Sequence, residues 1–294
     1  MSIQIAFALR TARPRVQPSL NAKIAEEGAH RAGLSWARRC QVVLGGVLVV
    51  LIAYNLWLLV TWAPAASLGQ DFSIYQRAAH RWLDGGGLYG ASQLAGAYVI
   101  EPGDSLYPPP ILLLLLPFTI LPAALWWIVP IAVTAAVLWR LRPLGWGVVA
   151  ILALMAWPTT LPMYWTGNPV IWATAGLALG VLWRPLAVLA LIKPTLAPFA
   201  LIGARDRRWW IALAALGFVA LAFLPLWPQY VAALVNARGE RAGFVFYLSN
   251  VPLMMVPMAA WISRELAWLS PGGGLRSAVA VRRNSALNGV AVQT

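Results

Sequence analysis

The sequence predicts an all-α fold, a polytopic bundle of about six membrane-spanning helices, and three observations predict it. Hydrophobic residues fill 61% of the 294 positions and charged residues 11%, a balance that needs lipid to cover it. Uncharged runs recur at the length of ~20 residues that crosses a hydrocarbon layer of ~30 Å at ~1.5 Å rise per residue. The charges themselves are lopsided, with 22 Lys and Arg against nine Asp and Glu, and basic residues collect on the cytoplasmic side of membrane chains. The net charge of +13 therefore reads as orientation in a membrane, and no nucleic-acid partner is expected. Cys40 is the one cysteine, which excludes an internal disulfide.

Residues 1–40 carry seven Lys or Arg and no sustained apolar run. They read as a basic cytoplasmic tail and not as a cleaved secretion signal. The first span runs from Gln41 to about Trp62 and follows Arg31, Arg38 and Arg39, so it exits on the far side of the cytoplasmic membrane. The loop at 63–110 is then extracytoplasmic. Its charges agree, because it holds Asp71, Asp84, Glu101 and Asp104 against only Arg77 and Arg81. Within it, DFSIYQRAAHRWL is amphipathic at helical spacing and predicts an interfacial helix, with Phe72, Tyr75, Ala79 and Trp82 on one face. Gly85, Gly86 and Gly87 end that helix.

From Ser105 to Trp139 nothing is charged. This predicts a short interfacial segment after Pro108-Pro109-Pro110 and one inward crossing, bent at Pro117, Pro122 and Pro130. The 41 uncharged residues between Arg142 and Arg184 allow an outward and an inward pass, joined through PTTLPMYWTGNP with the turn at Gly167-Asn168-Pro169. An outward helix from Trp209 to about Trp227 and an inward one over 244–262 complete the transmembrane domain, 41–267. The Gly-, Ser- and Arg-rich residues 268–294 read as a disordered cytoplasmic tail. Residues 185–204 break the count, since basic clusters at Arg184 and Arg205 to Arg208 flank them. They must enter and turn back near Lys193-Pro194 as a re-entrant hairpin or broken helix, or else form a pair of tilted helices.

Lys193 lies nine residues from Arg184 and twelve from Arg205. A buried ammonium costs several kcal/mol unless an anion meets it, so either it snorkels to an interface or it marks an anion site that a lipid-borne phosphate would fill. Asp71, ahead of the amphipathic helix, is a candidate N-cap and equally a candidate catalytic carboxylate. Asp84 reads as a turn residue, Glu101 and Asp104 as solvated loop charges, and His80 as a surface histidine. No metal-ligand spacing, phosphate-cradling glycine loop or nucleophile elbow is present, and neither metal nor cofactor is expected. The 17 tryptophans suit interface belts, while Trp165, beside the outer turn, and Tyr107, before the proline triplet, are kept as candidates for sugar stacking.

Four runs in order, DFSIYQRAAHRWLDGGGLYG, LYPPPILLLLLPFTILP, TGNP and RPLAVLALIKPTLAPFALIGARDRRWW, resemble glycosyltransferase family 87. These are GT-C enzymes that use polyprenyl-phosphate mannose, and the resemblance covers roughly residues 40 to 230. It implies a GT-C type bundle that transfers a hexose, mannose in the family, from a polyprenyl-phosphate donor to an extracytoplasmic glycan or glycolipid acceptor. It implies Asp71 as the base and Lys193 at the donor phosphate; beside them Arg77 and Arg81 are expected to assist Lys193, and Tyr75, Tyr107, Trp165 and Asn168 are the candidate substrate contacts. Family members carry Gly-Gln-x-Asn where this chain has Gly167-Asn168-Pro169-Val170, and they are commonly longer. Those departures motivate a rival expectation, a non-catalytic membrane subunit or a carrier that binds the lipid-phosphate sugar without turnover.

Overall fold

A computed structural model describes residues 20–99, 104–238 and 250–269. Glu101, the far ends of both tails and the first residues of the expected 244–262 helix lie outside them. The helices are α1 (Leu20–Trp62), α2 (Gln70–Leu83), α3 (Ala91–Ala95), α4 (Leu112–Leu115), α5 (Leu125–Leu141) and α6 (Trp146–Met155). They continue with α7 (Thr160–Thr166), α8 (Val170–Leu182), α9 (Ala197–Ala200), α10 (Arg207–Leu221), α11 (Trp227–Asn236) and α12 (Val251–Leu269). The only sheet among the described residues is a parallel pair, β1 (Tyr98–Val99) and β2 (Ala237–Arg238). The chain divides into two compact units, residues 1–43 and 44–294, and the second holds every element from α2 onward.

The chain is thus mostly helical, but its spans are less regular than charge counting suggests. One helical stretch, Trp36–Trp62, is long and apolar enough to cross a membrane. Two further spans arise if each of two bent pairs is one crossing: α6 with α7, bent by 54°, and α10 with the Leu224–Asn236 stretch, bent by 73°. Prolines place the breaks. Pro158 falls in the four residues between α6 and α7, and Pro225 and Pro228 stand at the turn into α11, where each ring removes a backbone donor and crowds the preceding turn. The leucine run is broken in the same way, with α4 passing into a 3-10 turn, Leu116–Thr119, and Pro122 preceding α5. Pro130 alone of the three expected bends stays inside a helix.

α8 is the centre of the core. Two of its glycines, Gly176 and Gly180, are one turn apart and lie against the following segment, Arg184–Ile192. A Cβ on Gly180 would stand 2.6 Å from Ala187 Cα, and one on Gly176 2.6 Å from Leu189 Cβ. Small residues at this spacing let backbones approach closely in the absence of water. Arg184–Ile192 is a nine-residue 3-10 helix, far longer than the usual three or four residues of that form. At ~2.0 Å per residue it reaches roughly 18 Å, short of a ~30 Å crossing.

The run stops at Lys193, which is extended at φ −117° and ψ 100°. The residue before a proline is pushed out of the helical region by the pyrrolidine ring, and Pro194 follows. Short pieces then carry the chain back through Pro194–Leu196, α9 and Leu201–Gly203. A Cβ on Gly203 would meet the Arg184 carbonyl at 2.5 Å, so the segment ends beside its own beginning. The segment doubles back on itself, with Lys193 at the break.

Candidate functional site

Gly69, in the left-handed region at φ 67°, turns the chain into α2 as its N-cap. The N-cap expectation for Asp71 is therefore corrected, because Asp71 sits inside the first turn and caps nothing. A carboxylate there still suits the positive end of the helix dipole. Its two hydrogen bonds come from elsewhere. Asp71 Oδ2 accepts from Thr166 Oγ1 at 2.9 Å and from Asn168 Nδ2 at 2.7 Å. Behind them, the Gly69 N–H donates to the Trp165 carbonyl at 2.9 Å. The Gly167 turn is thereby docked on the start of α2 by backbone and side chains together.

Asn168, 5% exposed, has a defined orientation. Its Oδ1 accepts from the Val170 N–H at 3.1 Å and from the Tyr107 hydroxyl at 3.4 Å, which leaves the amide nitrogen for Asp71. Tyr107 packs edge-on against Tyr75, ring centroids 5.2 Å apart. Burial pushes both phenols well above their ordinary range, and the Asp71 charge adds to it. Both therefore remain protonated donors at any physiological pH. Lys193, 8% exposed, stands with Nζ 5.6 Å from the centre of the Tyr107 ring, within cation–π range. The Asp71 carboxylate acts on it electrostatically, and among the described residues no carboxylate forms an ion pair with it.

Five sequence-selected residues, Asp71, Tyr75, Tyr107, Asn168 and Lys193, thus form one cluster. Trp165 flanks it, its indole N–H bonded to Ser67 Oγ at 2.9 Å. Arg77 and Arg81 are not brought in. Arg77 is exposed and bonds Ser73, while Arg81 bonds the Gly87 and Leu88 carbonyls and fastens the end of α2 to the next loop.

Three participants escape sequence reasoning. Thr166 lies in the TGNP run, yet nothing in the run separates a carboxylate partner from a turn threonine. Trp126 and Trp127 clamp the same turn, donating to the Gly167 carbonyl at 2.7 Å and the Tyr164 carbonyl at 2.6 Å. Gly167 itself, at φ 71°, has no room for a side chain, since a Cβ would come within 2.7 Å of the Trp127 ring. Beside Lys193 opens a cavity of about 920 Å³, walled by Pro108, Ile111, Trp172, Ile192, Pro194 and Tyr230 among others. Its wall includes the chain neighbours of both Tyr107 and Lys193. The Trp172 indole N–H is buried there without a partner among the described residues, and buried donors of that kind call for an acceptor.

Among the described residues no three His, Cys, Asp or Glu side chains gather. Compared with protein-family models, with curated proteins and with solved structures, the chain finds no match.

Proposed function

We propose that the chain is a multi-pass glycosyltransferase of the cytoplasmic membrane, moving a hexose, mannose by the resemblance above, from a polyprenyl-phosphate donor to an extracytoplasmic acceptor. The observation that carries this reading is the pairing of Asp71 and Lys193 across the Tyr107–Asn168 cluster, with a large apolar cavity at the lysine end. A buried ammonium lacking a fixed counter-ion invites an anion. A cavity within the ~300–1,000 Å³ of ordinary ligand sites, walled by apolar side chains, suits the hydrocarbon attached to that anion.

The chemistry asks for one carboxylate. Asp71 takes the proton from an acceptor hydroxyl. The hydroxyl oxygen bonds the anomeric carbon from the face opposite the phosphate, and the bond from that carbon to the phosphate oxygen breaks with its electron pair on the oxygen. The departing polyprenyl phosphate is a stable anion and needs no acid, unlike the leaving group in glycoside hydrolysis. Lys193 stabilises it electrostatically. Both hydrogen bonds to Asp71 fall on Oδ2, so Oδ1 is the oxygen assigned to the proton.

Purified chain given a labelled polyprenyl-phosphate sugar tests this. Asp71→Asn should retain donor and lose about 10²- to 10⁴-fold in transfer, whereas Lys193→Met should lose donor binding. Transfer by Asp71→Asn at the parent rate would remove Asp71 as base. The second reading, a carrier or non-catalytic subunit, rests on Lys193 and its cavity alone, and donor binding without product in the parent would favour it.

A further inference from the structure

The doubled-back segment begins at Arg184 and closes at Gly203, and a corner forms where those ends meet. A Cβ on Gly203 would press on the Arg184 carbonyl on one side and run into Trp209 Cδ1 of α10 on the other. Trp209 is 3% exposed. Its indole N–H, on the ring edge next to Cδ1, has no acceptor among the described residues. Nor has Arg184 Nη1, which is buried while the guanidinium carbon lies 4.8 Å from the centre of the Trp261 ring of α12. The neighbouring indole shows the ordinary outcome, since Trp210 Nε1 donates to the Ala204 carbonyl at 2.9 Å. From Arg184 to Trp209 the chain has five Lys or Arg and one acid, Asp206, which is engaged in capping α10 through the Arg208 N–H. Glu265, one turn along α12 from Trp261, is exposed.

We infer that this corner is a phosphate site, at which a phosphate held between Arg184 and Trp209 fastens the base of the segment that carries Lys193. The inference goes beyond the transferase reading and stands without it. Two buried donors without acceptors, one of them charged, call for an anion with several acceptor oxygens, and the planar fork of arginine fits phosphate in particular. Arg205, Arg207 and Arg208 stand exposed just ahead of Trp209 and draw anions toward it. Trp210 and Ile211 are exposed directly after it, so acyl chains can lie along the same end of α10. Basic pockets between membrane helices hold acidic lipid headgroups in this way. The phosphate can come from such a headgroup or from solution, and the chemistry of the corner is the same for both. Arg184 opens the doubled-back segment and Trp209 follows its close, so one group bound to both ties the two ends together.

The chain in phosphatidylcholine nanodiscs, with and without phosphatidylglycerol, provides the test, read as the thermal midpoint and as the phosphatidylglycerol that survives repurification. A parallel arm in detergent adds inorganic phosphate, against chloride of equal ionic strength. Phosphatidylglycerol should be retained and should raise the midpoint of the parent. Arg184→Gln should cut retention about tenfold or more, the worth of a hydrogen bond to a charged group, and abolish the rise. Arg140→Gln, exposed at the end of α5, removes the same charge and should leave both intact. Trp209→Phe loses the N–H but keeps an aromatic ring, and should cut retention about threefold or more; it decides the matter if Arg184→Gln does not fold. A rise with inorganic phosphate alone, abolished by Arg184→Gln, supports the site and makes its occupant soluble. Equal losses in Arg184→Gln and Arg140→Gln overturn it, since charge alone would then hold the lipid. So does a parent midpoint that responds to neither probe. Sugar transfer enters none of these readings, so the transferase reading stands or falls separately.

Discussion

At the scale of single residues, the site turns on how one amide is oriented. Asn168 gives its nitrogen to Asp71 because its oxygen is already taken by the Val170 N–H and the Tyr107 hydroxyl. Asn168→Asp keeps the shape and replaces that donor with a second carboxylate oxygen, 2.7 Å from the first. Two facing carboxylates share a proton and release it less readily than one alone. Transfer at pH 7 should therefore fall at least about tenfold, one pH unit being worth about 1.36 kcal/mol, and should recover as pH rises. A pH–rate profile identical to the parent's would show that Asp71 is not the base. Asp71 and Lys193 were legible in the sequence because charges are rare in so apolar a chain. Thr166 was not, since a hydroxyl beside a glycine turn announces nothing until the turn is docked. Trp126 and Trp127 were hidden for another reason, because tryptophan near a bilayer surface has a sufficient explanation without any specific bond.

At the scale of elements, the doubled-back segment depends on the glycines beneath it. Gly180→Val would drive a Cβ to 2.6 Å from Ala187 Cα, and two backbones cannot yield as a flexible side chain can. Overpacking of this kind costs about 1–3 kcal/mol. A lower thermal midpoint in detergent, together with loss of polyprenyl-phosphate retention, is the expected result, whereas Gly46→Ala, with nothing within 4 Å, should be silent. Retention of the parent midpoint by Gly180→Val would mean that α8 and Arg184–Ile192 do not pack so closely. That the segment turns back was readable from the basic clusters at both its ends, and its break from the lysine-proline step, whereas a pair of tilted helices stayed open as its form. The continuity of the other helices was not. Counting uncharged residues measures how much chain lipid can cover, but a proline between α6 and α7, or before α11, divides that length without changing its charge.

At the scale of the whole molecule, the charges predict an orientation that can be tested. Because Cys40 is the single cysteine, Cys40→Ser provides a clean background for new ones. On it, Asp84→Cys, exposed in the 63–110 loop, should react with a membrane-impermeant maleimide in intact cells, and Arg207→Cys, exposed at the start of α10, only after lysis. The opposite pattern would put the Asp71 side in the cytoplasm, away from the proposed acceptor. The number of crossings was partly legible, and the meeting of distant stretches was not legible at all. Tyr98 pairs with Ala237 and Val99 with Arg238, while the Tyr98 hydroxyl reaches the Ala233 carbonyl and the Asn236 amide reaches the Gln93 carbonyl. Two stretches more than a hundred residues apart are thereby stitched at their rims. Four residues of ladder make a weak seam by themselves, but with the two side-chain bonds beside it, a displacement of either stretch strains its distant partner.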